Sequence, residues 1–116
     1  MKKGWVLVAA WAAAGALAPV RAEEGAGKPD LAKAQQIVST VCAACHGADG
    51  NKPSAPDQPV LAGQYYDYLV QALSDYKSGK RSNPIMKGFA AQLSKQDIED
   101  LAAWFTSQRT PLHNQR

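Results

Sequence analysis

The sequence predicts an all-α domain with three main helices joined by long loops. Apolar residues recur at helical spacing in three separate stretches, and residues that start or end helices flank each of them. No stretch shows the alternation of polar and apolar residues that a half-buried strand requires. Because long structureless loops are uncommon in a small domain, we expect these loops to wrap around something.

The first helix is predicted to begin after Asp30, which is a suitable N-cap residue. Gly47 is expected to end it. The segment from Ala48 to Gly63 follows, and its closely spaced prolines and glycine predict a loop. The apolar face of the first helix consists of Leu31, Ala34, Ile37, Val38, Val41 and Cys45.

Two further helices are expected in the second half of the chain. One spans Gln64 to Ser78 and ends at Gly79. The segment from Lys80 to Phe89 contains Pro84 and Gly88 and is predicted to be irregular. The last helix begins at a capping-box sequence and carries a clear apolar stripe. The capping box is Ser94 to Asp97, and Pro111 keeps the helix from continuing. The apolar stripe consists of Ile98, Leu101, Ala102, Trp104 and Phe105.

Residues 1–22 have the layout of a secretory signal peptide. Lys2 and Lys3 precede an apolar, alanine-rich run, and Val20-Arg21-Ala22 offers small residues at both cleavage-site positions. A retained membrane anchor is the alternative, since the apolar run is at the lower length limit of a spanning helix. We expect cleavage, followed by a flexible lead-in over 23–29, a folded domain over 30–109 and a polar tail over 110–116.

Cleavage would remove the excess positive charge of the chain. The full sequence has 13 Lys and Arg against 10 Asp and Glu. Because Lys2, Lys3 and Arg21 precede the cleavage site and no acidic residue does, 10 residues of each sign would remain. This balance gives no support for a nucleic acid or an anionic membrane as a stable partner.

Both cysteines of the chain lie in one motif, Cys42-Ala43-Ala44-Cys45-His46. A redox or disulfide-forming C-x-x-C normally follows a strand, and no strand is predicted here. A structural zinc site needs four ligands, and His113 is the only further histidine. After an export signal, C-x-x-C-H indicates covalent haem attachment, since sulfurs one helical turn apart can reach both vinyl groups on one porphyrin edge. His46 would be the proximal iron ligand.

Met86 is the candidate for the second axial ligand. It would be the only methionine left after cleavage, and it follows the motif by 40 residues in a segment that could fold over the other haem face. Methionine more commonly fills a gap in a core, and that alternative stays open. His113 is the other candidate ligand, but its place near the end of a polar tail favours solvent exposure.

These residues resemble the class I c-type cytochromes, especially small bacterial periplasmic ones and single halves of tandem two-haem cytochromes. The order of C-x-x-C-H, then P-x-L-x-G, then a late methionine before an amphipathic helix is more specific than the first motif alone. The matching segments are VCAACHGADGN (41–51), PVLAGQ (59–64), YLVQAL (68–73) with Tyr76 and GKR (79–81), SNPIM (82–86) and LSKQDIEDLAAWFTSQ (93–108).

The resemblance implies the class I cytochrome c fold, in which the first and last helices cross and close over one covalently bound haem c. Ala34 falls at the crossing, and Trp104 or Phe105 would be its aromatic partner. The resemblance also implies that a loop carbonyl accepts the Nδ1 proton of His46 and so fixes its tautomer. Pro59 is the candidate, and Pro53 and Pro56 are the alternatives.

Two residues between the second helix and Met86 are further candidates. Arg81, or its neighbour Lys80, could pair with a haem propionate, although cations after a helix C-terminus are more often solvated caps. Asn83 could bond loop backbone or the methionine sulfur, but an asparagine before proline more simply starts a turn.

With both axial positions filled, the iron would have no site open for dioxygen, peroxide or substrate. We therefore expect a periplasmic one-electron carrier of a respiratory chain, cycling between Fe(II) and Fe(III), and no enzyme activity. Its partners would be membrane complexes and periplasmic reductases or oxidases, with no nucleic acid and only transient membrane contact. The alternatives are an electron-transfer subunit of a larger periplasmic oxidoreductase and, with the Met86 position vacant, a ligand-binding or peroxidatic haem protein.

Overall fold

The structure, a computed structural model, describes residues 27–111. The predicted signal peptide, most of the lead-in, and the tail with His113 lie outside the described residues. Between 27 and 111 the chain forms only helices, turns and loops, which confirms the all-α prediction. The elements are α1 Leu31–Ile37, a π-helical turn Val38–Cys42, α2 Ala43–His46, α3 Tyr66–Ser78, α4 Pro84–Ala90 and α5 Lys95–Ser107. Over this range, no helix combines the length and apolarity needed to cross a membrane.

The first helical stretch, α1 through α2, has the limits that the sequence predicts. The Asp30 side chain accepts the backbone N–H of Lys33 at 2.9 Å and caps the N-terminus. Gly47 ends the stretch with a φ of 87°, a conformation that L side chains rarely adopt. A Cβ at this position would lie 2.8 Å from the carbonyl oxygen of Lys52. Only glycine allows the chain to leave the helix in this direction.

Helices α3 and α5 were both predicted, with one shift in boundary. Helix α3 begins at Tyr66 and not at Gln64, because Tyr65 is extended and donates its N–H to the Gln64 side chain at 2.8 Å. Its C-terminus is the left-handed Gly79. Helix α5 begins with the predicted capping box of Ser94 and Asp97.

Helix α4 contradicts the prediction of an irregular segment around Met86. Pro84 occupies the first helical position, where its missing N–H leaves no hydrogen bond unmade. Asn83 caps the helix by accepting the backbone N–H groups of Ile85 and Met86, at 3.1 and 3.0 Å. Gly88 lies inside α4, since one glycine weakens a short helix without preventing it. Pro84 therefore starts helix α4 and does not interrupt it.

The core lies where α5 packs against both α1 and α3. Ala34 is fully buried at the α1–α5 contact, as predicted for the crossing of the first and last helices. The rings of Trp104 and Phe105 meet edge to face, with centroids 5.1 Å apart. The buried cluster is Ala34, Val38, Leu69, Leu101, Ala102, Trp104 and Phe105.

Polar contacts tie the start of α1 to α5. Asp100 is fully buried and accepts the backbone N–H of Asp30 at 3.0 Å. The Lys33 ammonium lies 2.6 Å from the Asp97 carboxylate. That hydrogen bond, together with those from Ser94, lowers the pKa of Asp97 to about 2.

The loop between α2 and α3 folds back against α5. The Gly50 carbonyl accepts the N–H groups of Leu61 and Ala62 at 2.8 and 3.2 Å, and Gly63 donates to the Phe105 carbonyl at 2.9 Å. A Cβ on Gly50 would lie 2.8 Å from the Phe105 ring. These contacts therefore hold the predicted loop in one position beside α2.

Candidate haem site

The C-x-x-C-H motif spans the end of the π-helical turn and all of α2. Cys42 is the last residue of the turn, and Cys45 and His46 close α2. Both thiols are free and half-buried, and His46 is buried, with 6% of its surface exposed. Ala44, between the cysteines, is exposed. The three reactive side chains therefore lie on the protected side of one helical stretch.

The π-helical turn determines which face His46 occupies. In a regular α-helix each residue advances by about 100°, so a residue 12 positions after Ala34 would point roughly 120° away from it. The wider π turn advances by roughly 80° per residue, and its 5 residues remove about 100° of that rotation. His46 therefore shares the inner face with Ala34 and Val38, and all three side chains are buried.

Backbone and hydroxyl groups hold this wider turn. The N–H of Ala43 donates to the Val38 carbonyl, five residues earlier. The hydroxyls of Ser39 and Thr40 both donate to the Gln36 carbonyl at 2.9 Å. Such side-chain bonds compete with the regular helical pattern and so favour a local change of pitch. This turn was not predicted. Its only signal in the sequence is the adjacent Ser-Thr pair before the motif.

A backbone carbonyl fixes the orientation of His46. Its Nδ1 lies 2.9 Å from the carbonyl oxygen of Pro59, so of the three prolines named above it is Pro59 that contacts the ring. A carbonyl only accepts hydrogen bonds, so Nδ1 carries the proton and Nε2 keeps its lone pair. This is the tautomer in which Nε2 can bind a metal.

The loop that carries Pro59 is bound to the motif at a second point. The N–H of Ser54 donates to the Cys45 carbonyl at 2.9 Å. The Gln58 side-chain oxygen accepts the N–H and hydroxyl of Ser54 and the N–H of Ala55, at 3.0, 2.8 and 3.0 Å. The sequence analysis did not single out Gln58, because a loop glutamine carries no motif signal.

The environment of the cysteines suits thioether bonds better than a thiolate metal site. Burial raises the pKa of the Cys42 thiol to about 11, so its sulfur is uncharged at neutral pH. Zinc would require a thiolate here and further ligands. Within residues 27–111, no three His, Cys, Asp or Glu side chains form a cluster that could hold a metal ion. Two cysteine thiols beside an imidazole with a free Nε2 fit covalent haem.

Met86 lies on a different element from the motif. It is the third residue of α4, and it is half-buried while Ile85 and Lys87 on either side are exposed. Helix α4 packs against α3. The half-buried side chain between two exposed neighbours shows that Met86 is turned toward the protein.

Arg81 is exposed and directed toward α3. Its guanidinium donates to the Tyr68 hydroxyl at 3.3 Å and lies 4.8 Å from the centre of the Tyr76 ring. The Tyr68 hydrogen bond raises the pKa of Arg81 above its usual value. Lys80 lies 3.7 Å from Asp75. Both cations therefore have partners on α3, and a propionate contact stays a prediction.

The fold and the motif together define the class of protein. The family model for Cytochrome c matches residues 31–109, so the chain belongs to the cytochrome c family. Membership implies a covalently bound haem c, and Cys42 and Cys45 occupy the C-x-x-C-H positions. The matched range includes all the described helices.

Several similar proteins are bacterial cytochromes. Cytochrome c4 of Pseudomonas aeruginosa is 51% identical over 78 residues, which are 67% of this chain and 38% of that protein. Cytochrome c-554(548) of Halomonas halodenitrificans is 39% identical over 82 residues, 68% of this chain and 96% of that protein. The solved structure of reduced cytochrome c4 from Pseudomonas stutzeri has a TM-score of 0.65 at 41% identity, covering 73% of this chain and 48% of that chain.

The chain spans about half or less of the length of the cytochromes c4 that it matches, and it is similar to one half of them. The resemblance to the class I cytochromes and the expected fold are thereby confirmed. A thiosulfate dehydrogenase electron acceptor of Stutzerimonas stutzeri is also similar, at 43% identity over 70 residues, 60% of this chain and 32% of that protein.

Proposed function

We propose that this chain is a mono-haem, one-electron carrier of the bacterial periplasm and is not an enzyme. The observation that carries the proposal is the state of His46. The ring is buried, its Nδ1 proton is held by Pro59, and its Nε2 lone pair is free beside two cysteines. A buried imidazole whose Nδ1 proton is held by a carbonyl and whose Nε2 is free is what a proximal haem ligand requires.

Four residues would hold the group. Cys42 and Cys45 would carry the thioethers, and His46, through Nε2, and Met86, through its sulfur, would hold the iron. When bound, haem c supplies the Fe(II)/Fe(III) couple. The Pro59 carbonyl keeps the imidazole in its ligand tautomer and strengthens its donation. The weak thioether donor at Met86 favours Fe(II) and raises the potential, as suits a carrier.

Two filled axial positions leave no site for dioxygen or a substrate, which supports a carrier over an enzyme. The similarity to a protein described as an electron acceptor supports the same role. Donors and acceptors of the periplasm, such as dehydrogenases, reductases and oxidases, are the proposed partners. Residues 1–22 would direct export, and cleavage after Ala22 would follow it.

The second candidate is an electron-transfer subunit of a larger oxidoreductase. It is favoured by the relative named for thiosulfate dehydrogenase, which ties one similar protein to an enzyme. The two candidates differ in whether the chain stays with a catalytic subunit. Purification from the native host at moderate salt distinguishes them, because a carrier elutes alone and a subunit elutes with its enzyme.

The first test uses the protein expressed with its leader in a host that attaches haem c. We expect a chain beginning at Glu23 whose haem resists acid–acetone extraction and whose spectrum is six-coordinate and low-spin in both oxidation states. Cys42→Ser and Cys45→Ser should each leave at most one thioether. Complete extraction of haem from the wild type would contradict the proposal.

A further inference from the structure

We infer that Gln58 is a positioning residue for His46, and that its side chain sets the strength of the bond between the Pro59 carbonyl and Nδ1. The inference rests on the proposed ligation of iron by His46. It concerns the Gln58 clamp, defined as residues Ser54 to Gln58 together with the three hydrogen bonds that the Gln58 side-chain oxygen accepts.

The clamp closes a five-residue turn through one atom. A carbonyl oxygen has two lone pairs, and three donors at 2.8–3.0 Å saturate it. The backbone N–H of Gln58 also donates to the Ala55 carbonyl at 3.1 Å. Gln58 is half-buried, whereas Ser54 and Pro59 are exposed. This loop has no regular secondary structure, and the hydrogen bonds of the Gln58 side chain therefore keep it in one conformation.

The clamp is joined to the haem motif at both of its ends. At one end, Ser54 donates to the Cys45 carbonyl at 2.9 Å. At the other, Gln58 precedes Pro59, whose carbonyl accepts from His46 at 2.9 Å. The proline ring fixes its own φ, so the ψ of Pro59 is the only backbone torsion of this residue that still turns its carbonyl relative to the Gln58 peptide. Movement of Gln58 is thereby passed to the histidine.

The consequence for electron transfer has a definite sign. A short Nδ1–H···O bond makes the imidazole a stronger donor, and a stronger donor stabilises Fe(III). Loss of the Gln58 acceptor would leave the N–H groups of Ser54 and Ala55 without that partner and would loosen the loop. The bond at Nδ1 would then weaken, and the reduction potential would rise.

The decisive variant is Gln58→Met, which keeps the length of the side chain and removes the acceptor. The matched control is Gln64→Met, because the Gln64 side-chain oxygen also accepts a backbone N–H, from Tyr65 at 2.8 Å, outside the clamp. In haem-loaded protein we expect Gln58→Met to raise the potential by an amount equal to a threefold to tenfold change in the one-electron equilibrium. Tenfold corresponds to about 59 mV.

A second readout follows the bond itself. We expect the Nδ1 proton of His46, observed by NMR, to exchange with solvent faster in Gln58→Met, and the amide proton of Ala55 to do the same. The Ser54 N–H is shared between Gln58 and the Cys45 carbonyl and keeps the second acceptor, so its exchange should change less. Gln58→Glu restores an acceptor but adds a negative charge, so it should return the exchange rates toward wild type whatever it does to the potential. Ser54→Ala removes one of the three bonds and should give a smaller change in the same direction.

Unchanged potential and Nδ1 exchange in Gln58→Met, equal to those of Gln64→Met, would overturn the inference while leaving the proposed function intact. If Gln58→Met does not accumulate as haem protein, Ser54→Ala decides the matter by the same two measurements, and Gln58→Glu decides it by proton exchange alone. A wild type without a low-spin haem spectrum would overturn both the proposed function and this inference.

Discussion

The His46 side and the Met86 side of the proposed haem site differ in how firmly the protein holds them. His46 is buried, and its ring is bound by the Pro59 carbonyl. The helical stretch from α1 through α2, which ends at His46, packs into the core through Ala34 and Val38. Met86 is half-buried on the short helix α4, between exposed neighbours. The difference indicates that the polypeptide itself builds the His46 side, whereas the Met86 side would gain its definition from the proposed bond between Met86 and the iron.

The contacts around each ligand support this contrast. The loop beside His46 is bonded to α2 at Cys45 and to α5 at Phe105. Helix α4 is held at its start by Asn83, and the Lys77 ammonium donates to the backbone carbonyls after its end. Lys77 thus anchors α4 to α3, as a cation near a helix C-terminus does. A buried ligand held by a hydrogen bond and a half-buried ligand on a short helix should respond differently to mutation.

The largest effect should come from replacing the proximal ligand. We expect His46→Ala to abolish stable haem protein, because the buried Nε2 donor disappears and the Pro59 carbonyl loses its partner. The measurement is the ratio of haem absorbance to protein after expression with a haem-attachment system. His113→Ala is the control and should match the wild type. Wild-type haem content in His46→Ala would contradict the ligand assignment.

Replacing the distal ligand should alter the chemistry of the iron and leave attachment in place. We expect Met86→Ala to retain both thioethers, to become partly high-spin and to bind carbon monoxide. Met86→His supplies a stronger donor to Fe(III) and should lower the potential by at least a tenfold change in equilibrium, about 59 mV.

The neighbour Ile85 provides the control for Met86. It lies on the same turn of α4, but 67% of its surface is exposed. Ile85→Ala should therefore leave the spin state and the potential unchanged. If Met86→Ala also had the wild-type spectrum, Met86 would be a packing residue, and the carrier proposal would lose its main support.

Several parts of the fold could be predicted because their signals are local. Asp30, Gly79 and the Ser94–Asp97 box mark helix ends by bonds within a few residues, and all three act as expected. The burial of Ala34 against α5 followed from family resemblance, since periodicity alone does not say which helices meet. The candidate ligand residues were predicted from a short motif and from the only methionine that would remain after cleavage.

The features that escaped prediction depend on distant or conditional contacts. Pro84 was treated as a helix breaker, although at the first helical position it favours a helix once Asn83 supplies the cap. The π-helical turn results from a balance between hydroxyl bonds and packing that spacing does not reveal. The role of Gln58 depends on how a loop folds back, and no pattern in a single sequence encodes that path.

A pair of glycine substitutions tests the rigidity of the two sides. Gly50 has a φ of 77°, and an added Cβ would meet the Phe105 ring at 2.8 Å. We expect Gly50→Ala to lower the free energy of unfolding by about 2–4 kcal/mol, from backbone strain and overpacking together. Gly88, inside α4, has nothing within 4 Å of an added Cβ.

Gly88→Ala should instead raise the free energy of unfolding by about 0.5–1 kcal/mol, because alanine favours the helix. Denaturant unfolding of the haem-loaded variants measures both values. Equal losses at the two positions would mean that the distal helix is as tightly constrained as the proximal loop, and the contrast between the two sides would not hold.

The smallest effect concerns the pH dependence of the Lys33–Asp97 ion pair, which joins α1 to α5. The Lys33 bond and the bonds from Ser94 lower the pKa of Asp97 to about 2, against about 3.9 for an unfolded aspartate. On acidification the unfolded chain therefore takes up this proton first. The stabilisation is fully present above about pH 4 and is lost as the pH falls toward 2.

Asp97→Asn should cost about 0.5–1 kcal/mol at pH 6, the range of a solvent-screened ion pair, and the cost should vanish near pH 2. Asp75→Asn is the control, because it changes the net charge by the same amount at the Lys80 ion pair, away from the α1–α5 contact. Urea unfolding of both variants between pH 2 and pH 6 gives the two profiles, and their difference isolates the α1–α5 contact. A cost for Asp97→Asn that stayed constant over this range would show that the aspartate acts through the capping geometry of α5 alone, with no part played by its charge opposite Lys33.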